Sequence, residues 1–132
     1  MPEVSDANIT LVRLTYDSYA RRDLAMIWKH LSPQIEIYQA SEVPWGGTYR
    51  GHDGALEFFR KLNAFTDASP MPEEYFAAGE DVVVIGRARG TVQTTGRPFD
   101  LRIVHLWTVR EGLIARFAAY VDTVGVSMAL GG

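Results

Sequence analysis

The stretch Phe99–Val121, which reads FDLRIVHLWTVREGLIARFAAYV, decides the fold class of this chain. Apolar and polar side chains alternate along much of it, and alternation with a period of two predicts β-strands. Glu111-Gly112 predicts a tight turn, so the two halves should pair as antiparallel strands. The odd-numbered face of the first strand is apolar except for His105. We expect that face to line the interior and the even-numbered face to lie on the outside of the sheet.

The sequence before this hairpin extends the sheet. Tyr75–Ala78 and Val82–Val92 predict two further strands, because both are rich in aromatic or β-branched residues and a Gly-Glu-Asp turn separates them. Gly86 and Gly90 lie inside the second of these strands. Glycine inside a strand marks a bulge or a bend. The second half of the chain therefore predicts a strongly curved antiparallel meander.

The first half predicts helices. A first helix carries apolar and aromatic residues at helical spacing, namely Ile9, Val12, Tyr16 and Tyr19. Asp23 should cap a second helix that stops at Ser32-Pro33, and Asp53 should cap a third that ends at Ser69–Pro72. The predicted buried stripe of the third helix consists of Ala55, Leu56, Phe59, Leu62 and Phe65. These helices precede the meander.

The order of elements defines the class. Ile35 and Ile37 alternate with polar neighbours and predict one short strand, which a Pro-Trp-Gly-Gly loop follows. Asp122 should cap a closing helix over Val124–Leu130. Strands that cluster in the second half, without alternating helices, indicate an α+β fold rather than a parallel βαβ fold. The 132 residues should form a single domain over residues 1–132.

Composition excludes several classes of function. The net charge of -3 argues against nucleic-acid binding, and the absence of cysteine excludes disulfides and thiol catalysis. No signal peptide or apolar run of membrane-spanning length is visible, which predicts a cytoplasmic protein without membrane contact. The three histidines lack metal-ligand spacing, and no glycine motif predicts a nucleotide cofactor.

Taken together, several motifs resemble those of the nuclear transport factor 2-like superfamily, in its SnoaL-like and ketosteroid-isomerase-like branch, which includes polyketide cyclase-like proteins. They are Tyr19…Arg22-Asp23-Leu24, Pro44-Trp45-Gly46-Gly47-Thr48-Tyr49-Arg50-Gly51, Trp107-Thr108-Val109-Arg110-Glu111-Gly112 and Phe117…Tyr120-Val121-Asp122-Thr123. The resemblance implies a cone-shaped, curved, mainly antiparallel sheet wrapped around N-terminal helices. It also implies a homodimer and an apolar pocket for a small hydrophobic molecule, polyketide- or steroid-like, with chemistry that needs no cofactor.

The resemblance also indicates where isomerase residues would lie. The carboxylate base position falls at or beside Gln39, the tyrosine position at Thr15 with Tyr16 next to it, and the oxyanion aspartate position near His105. Glutamine cannot accept and return a proton at neutral pH. Isomerase chemistry in its familiar form is therefore not expected.

Two residues are catalytic candidates. His105 is the single titratable group on an apolar strand face, and the ordinary pKa of histidine lies near neutrality. Asp122 matches the acid/base aspartate of SnoaL-type polyketide cyclases by its spacing from Gly112. Each also has a structural interpretation: His105 as a buried neutral histidine, and Asp122 as a helix cap. An epoxide hydrolase would need two aspartates and an arginine around a water molecule, and the sequence assigns no aspartate partners to its arginines.

The substrate-binding prediction comprises ten residues: Tyr16, Tyr19, Trp28, Tyr38, Gln39, Trp45, Phe59, Ile103, Trp107 and Phe117. Glu42, in the loop before Trp45, is a further candidate for ligand selection. Two functions stay open, a cofactor-independent isomerase, cyclase or hydrolase, and a non-catalytic ligand-binding or protein-interaction module. A second ionisable group within hydrogen-bond reach of His105 would favour the enzyme.

Overall fold

A computed structural model describes residues 2–131 of the chain, with side chains described from residue 6 onward. Within that range the chain forms four helices and six strands. In chain order they are α1 (Pro2–Ala20), α2 (Leu24–His30), β1 (Leu31–Gln39), β2 (Gly47–Arg50), α3 (Gly51–Phe65), β3 (Ser69–Ala78), β4 (Asp81–Thr91), β5 (Pro98–Arg110), β6 (Leu113–Val121) and α4 (Thr123–Ala129). None of the helices in the described range is long and apolar enough to cross a bilayer.

One curved sheet holds all six strands in the order β2-β1-β6-β5-β4-β3. Every neighbouring pair is antiparallel except β1 and β6, which are parallel. Glu111 and Gly112 join β5 to β6 with φ angles of 52° and 74°. Positive φ at both residues of a two-residue turn matches the twist of the flanking strands. The predicted α+β class and the mainly antiparallel, curved sheet are confirmed.

The bend predicted at Gly86 is present where β4 pairs with β3. The register of the pair shifts between Pro72 and Glu74, opposite Gly86. A Cβ atom on Gly86 would lie 2.3 Å from the carbonyl oxygen of Met71, so no other residue fits without moving the backbone. Ser69–Pro72 forms the start of β3, and the prediction that it ends the third helix is wrong. Its prolines are tolerated because β3 lies at the edge of the sheet.

The helix boundaries are partly as predicted. The Asp23 carboxylate accepts a hydrogen bond of 3.2 Å from the backbone N–H of Met26 and so caps α2. The chain leaves α2 at His30, so Ser32-Pro33 lies in β1 rather than at the helix end. Asp53 is not the cap of α3, because Arg50 holds that position and Asp53 lies in the first turn. A carboxylate in the first turn still interacts favourably with the helix dipole.

The core lies between the concave face of the sheet and the helices. Its helical part includes Val12 and Tyr16 from α1 and Ile27 from α2. From α3 it takes Ala55 and Phe58, whereas Leu56 is 56% exposed, so the predicted stripe is wrong at that position. The error came from assigning Leu56, and not Phe58, to the buried face. The part of the concave face that the helices leave open borders a cavity.

Candidate functional site

A cavity of about 150 Å³ lies on the concave side of the sheet. The inward side chains of β5 run along one wall, as the alternation predicts: Phe99, Leu101, Ile103, His105 and Trp107. Residues of α1, α3 and α4 cover the opposite side. The wall of the cavity is therefore set by strand alternation on one side and by helix packing on the other.

The lining is almost entirely apolar and carries no formal charge. Its hydrogen-bonding side chains belong to Thr15, Tyr16, Tyr19, Gln39, Trp45, Thr66, His105 and Trp107. Among the described residues, no aspartate, glutamate, lysine or arginine borders the cavity. A charged group placed inside would lose its hydration without gaining a partner, which is strongly unfavourable. The cavity therefore suits an uncharged, largely apolar molecule.

Three of the polar lining residues form a hydrogen-bonded relay. The Tyr16 hydroxyl lies 2.6 Å from Nδ1 of His105, and Nε1 of Trp107 donates to the same hydroxyl oxygen over 3.0 Å. Indole can only donate, so the hydroxyl accepts from Trp107 and its own proton points elsewhere. His105 is the remaining partner of that hydroxyl in the described part of the chain. Tyr16 therefore donates to Nδ1, and the proton of the neutral imidazole lies on Nε2.

Burial keeps this relay uncharged. Desolvation lowers the pKa of His105 to about 3. Desolvation also raises the pKa of Tyr16 well above its ordinary value, although the hydrogen bond from Trp107 opposes that rise. Both groups are thus neutral at physiological pH. His105 can present an Nε2–H donor to the cavity, but it is a poor store for a proton.

Aromatic rings fix the orientation of the imidazole. The Phe117 ring lies edge-to-face with His105 at 4.9 Å between centroids and 4.4 Å from the Trp107 ring. The Tyr16 ring lies parallel to the imidazole plane, with centroids 5.9 Å apart. In the described residues Nε2 makes no hydrogen bond, and the ring borders the cavity. This nitrogen is therefore free to meet a ligand.

Gln39 lies on the same cross-strand row as His105. Gln39 pairs with Ala119 of β6, and Ala119 pairs with His105 of β5. Two strand spacings separate their backbones by about 10 Å. Gln39 is 3% exposed, and its Nε2 has no hydrogen-bond partner within the described residues. The small Ala119 between them leaves room for a ligand that reaches both groups.

Most of the predicted binding residues border this cavity. Those that line it are Tyr16, Tyr19, Gln39, Trp45, Phe59, Ile103, Trp107 and Phe117, together with His105. The prediction that Tyr38 binds the substrate is wrong. Its ring packs against that of Tyr120, with 6.0 Å between centroids, on the outer face of the sheet. Its neighbours Ile37 and Gln39 point inward, so a strand residue between them points outward.

The prediction that Trp28 binds the substrate is also wrong. Its ring packs 6.0 Å from the His52 ring and 6.2 Å from the Phe59 ring, and it does not border the cavity. Phe59 lies between Trp28 and the interior.

Glu42, which the sequence suggested for ligand selection, is exposed to solvent. The loop between β1 and β2 thus contributes Trp45 to the cavity lining, whereas the Glu42 carboxylate lies outside that lining.

The structure does not place Asp122 where a catalytic residue of this cavity would lie. Asp122 is exposed, lies outside the cavity lining, and accepts a hydrogen bond of 2.9 Å from the backbone N–H of Gly125. It therefore caps α4, as its structural interpretation predicted. Strand alternation explains the placement, because Val121 takes the inward position just before it. His105 thus finds its ionisable neighbour in Tyr16, not in Asp122.

Sequence reasoning missed some of the lining. The tyrosine next to His105 is Tyr16, whereas Thr15 donates to the Leu11 carbonyl oxygen over 2.9 Å. Val126, Ala129 and Leu130 close the cavity from α4 and just beyond it, and their helical spacing could have indicated the inward face of α4.

Within the described residues, histidine, aspartate and glutamate form no cluster of three or more that could hold a metal ion.

Comparisons with known proteins place this geometry in a family. The model of the SnoaL-like domain matches residues 12–117. A nuclear transport factor 2-like protein from Burkholderia thailandensis E264 is 31% identical, with a TM-score of 0.87 over 95% of this chain and 98% of that chain. TerC, co-crystallised with polyporic acid, is 27% identical, with a TM-score of 0.87 over 96% and 99% of the two chains. An uncharacterised protein of Mycobacterium tuberculosis H37Rv is 28% identical over 87% of this chain and 88% of its own.

Proposed function

Since the chain belongs to the SnoaL-like domain family, we propose that it binds a small hydrophobic molecule whose part inside the cavity is uncharged and carries a carbonyl oxygen. The observation that carries the proposal is the free Nε2 of His105 at the wall of a charge-free cavity. Its N–H is a donor, and a carbonyl oxygen is the matching uncharged acceptor.

Size and lining narrow the ligand. The cavity of about 150 Å³ is similar to apolar protein cavities that hold a single benzene ring. Burial of apolar surface stabilises a bound ligand by about 25 cal/mol per Å². One ring of a polyketide- or steroid-like molecule would fill this volume, and the rest of the molecule would extend beyond it. TerC, which shares 27% identity, was co-crystallised with polyporic acid, and this supports a search for ligands in this cavity.

In its catalytic form the function is a cofactor-independent isomerisation or cyclisation. The neutral His105 would donate to the carbonyl oxygen and stabilise the negative charge that develops there when a solvent base takes up a proton from the neighbouring carbon. Donors fixed in a water-poor site are effective at this. Tyr16 and Trp107 would keep the donor in place. A hydrolase has less support, because Arg87 and Arg89 both pair with Asp100 away from the cavity lining.

Non-catalytic binding is the second candidate, and two observations favour it. Burial lowers the pKa of His105 to about 3, so the imidazole is a weak base. The lining provides no carboxylate in the described part of the chain. Either function requires the same ligand contacts.

Two compounds test binding and catalysis together. 2-Acetylnaphthalene and 2-ethylnaphthalene have similar shapes, but only the first has a carbonyl oxygen. Isothermal titration calorimetry should give a lower Kd for the ketone, and His105→Phe should remove the difference while still binding the hydrocarbon. If neither compound binds, or if the ketone has no advantage, the proposed function is wrong.

The same ketone separates the two candidates. Proton NMR in D₂O follows exchange of its methyl protons, which lie next to the carbonyl carbon. Exchange faster than in buffer, and lost in His105→Phe, supports the catalytic form. Binding without added exchange supports the non-catalytic form.

The homodimer has its own support on the outer face of the sheet. Phe76, Val104 and Tyr120 are 48%, 39% and 46% exposed there, and polar or charged residues flank this apolar band. We expect a second copy of the chain to cover it. Light scattering after size-exclusion chromatography should give a dimer, and Val104→Glu should give a monomer. Leu56→Glu is the matched control on α3, where the native side chain is 56% exposed, and should leave the dimer intact.

A further inference from the structure

A second, smaller groove adjoins the cavity beside the end of α1. It has a volume of about 100 Å³ and lies between α1 and the start of β3. Its lining comprises Tyr16, Tyr19, Ala20, Arg22, Ser69 and Pro70. Tyr16, Tyr19 and Pro70 border the main cavity as well. A ligand in the cavity could therefore extend through this groove toward a cationic side chain, Arg22.

Arg22 occupies a backbone position that normally holds glycine. Its φ angle is +58°. Its N–H donates to the carbonyl oxygen of Tyr19 over 3.0 Å, and the next N–H, of Asp23, donates to that of Ser18 over 2.8 Å. This pair of bonds is the Schellman motif, in which glycine is the usual residue at the left-handed position. A side chain kept in such a conformation is a pointer to function, because glycine there would avoid the strain.

The guanidinium of Arg22 is not committed to an ion pair. It lies 5.1 Å from the centroid of the Tyr19 ring. In the range that the structure describes, no carboxylate oxygen comes within 4.0 Å of it. Hydrogen bonds from the backbone N–H and the hydroxyl of Thr91, at 2.5 and 3.0 Å, are the main cause of the lowered pKa of Asp67, and the charge of Arg22 contributes least. The N–H groups of Arg22 thus remain available to a ligand.

A second donor lies beside Arg22. The Tyr19 hydroxyl is buried and has no hydrogen-bond partner among the described residues. A buried hydroxyl without a partner is unfavourable in the free protein, and a bound acceptor would remove that penalty. Tyr19 borders both the groove and the cavity. Two adjacent donors, one of them cationic, match the oxygens of a carboxylate.

We infer that this groove binds an anionic substituent of the ligand, a carboxylate or a group of similar shape and charge, through Arg22 and Tyr19. The inference rests on the proposed function, because it places the apolar body of the same molecule in the cavity. The preferred ligand is then an amphipathic acid whose hydrophobic part is buried and whose anionic end stays at the groove. An uncharged analogue would bind through the cavity alone.

Two probes of similar shape test this assignment. Naphthalene-2-carboxylate carries the negative charge, and 2-acetylnaphthalene has the same rings without it. Calorimetry at low salt should show that Arg22→Gln raises the Kd of the carboxylate roughly tenfold, the loss expected for one hydrogen bond to a charged group. The Kd of the ketone should stay unchanged. Arg21→Gln, which removes the adjacent exposed charge, is the matched control and should change neither Kd.

Arg22→Gly gives an independent readout. Glycine adopts positive φ without strain, so this variant should raise Tm while it weakens carboxylate binding as much as Arg22→Gln does. The inference is overturned if Arg22→Gln leaves the Kd of the carboxylate unchanged, or if Arg21→Gln has an equal effect. Ketone binding without any dependence of the carboxylate on Arg22 overturns this inference alone. Failure of both probes to bind overturns the proposed function with it.

Discussion

The Tyr16 hydroxyl lies 2.6 Å from Nδ1 of His105, although the two residues are 89 positions apart in the chain. Tyr16 comes from α1 and His105 from β5, and Trp107 completes the relay from the same strand. The bond sets which nitrogen of the imidazole carries the proton. The donor that we propose for ligand recognition therefore depends on the packing of α1 across the sheet.

Removal of the Tyr16 hydroxyl should weaken both stability and recognition. Tyr16→Phe leaves buried Nε1 of Trp107 without an acceptor and Nδ1 of His105 without a donor, which should lower the free energy of unfolding by about 1–3 kcal/mol. Urea denaturation measures this loss. Tyr75→Phe is the control, since the Tyr75 ring lies 6.3 Å from that of Tyr16 but outside the relay. Equal losses in the two variants would contradict the relay.

Stability should depend on pH through His105. Its pKa is about 3 in the folded chain, against an ordinary value near 6.5, because burial disfavours the imidazolium. Between these values the unfolded chain binds more protons, so stability falls as the pH falls. The slope from this residue approaches about 1.4 kcal/mol per pH unit.

Chemical denaturation between about pH 7 and about pH 5 isolates this effect from most carboxylate titration. His105→Gln should show a shallower decline than the native chain over the same interval. Identical slopes would mean that His105 is solvated and charged in the folded protein.

Truncation of Trp107 should be strongly destabilising. The side chain is 7% exposed and packs 4.4 Å from the Phe117 ring, so Trp107→Ala should lower the free energy of unfolding by about 3–5 kcal/mol. Thermal and urea unfolding measure the change. Leu56→Ala on α3, outside the proposed dimer surface, serves as the control, and its native side chain is 56% exposed. A near-neutral Trp107→Ala would argue that the cavity wall is not packed as described.

Asp122 should matter for stability and not for the ligand. Asp122→Ala removes the bond to the N–H of Gly125 and should lower the free energy of unfolding by about 1 kcal/mol. Asp122→Asn should lose little, because asparagine caps helices as well as aspartate does. Titration with 2-acetylnaphthalene should give the native Kd for both variants. A large rise in Kd for Asp122→Asn would restore the catalytic interpretation of this carboxylate.

The sequence was most informative where one periodicity acts alone. Along β5 the alternation correctly placed Ile103, His105 and Trp107 on the inward face. It was less informative in α3, where adjacent apolar residues led to the assignment of Leu56, instead of Phe58, to the buried face. Trp28 shows a further limit, because an aromatic side chain can pack against the back of a lining residue as well as border the cavity itself.

The sequence by itself determined the α+β class, the curved meander and the inward face that carries His105. These follow from local rules, because side chains alternate along a strand, and turns and caps require particular residues. The tertiary structure alone decided that Tyr16 is the partner of His105 and that Arg22 lies beside the cavity. Such contacts join residues far apart in the chain, and their distances depend on how helices and strands pack rather than on spacing within any one of them.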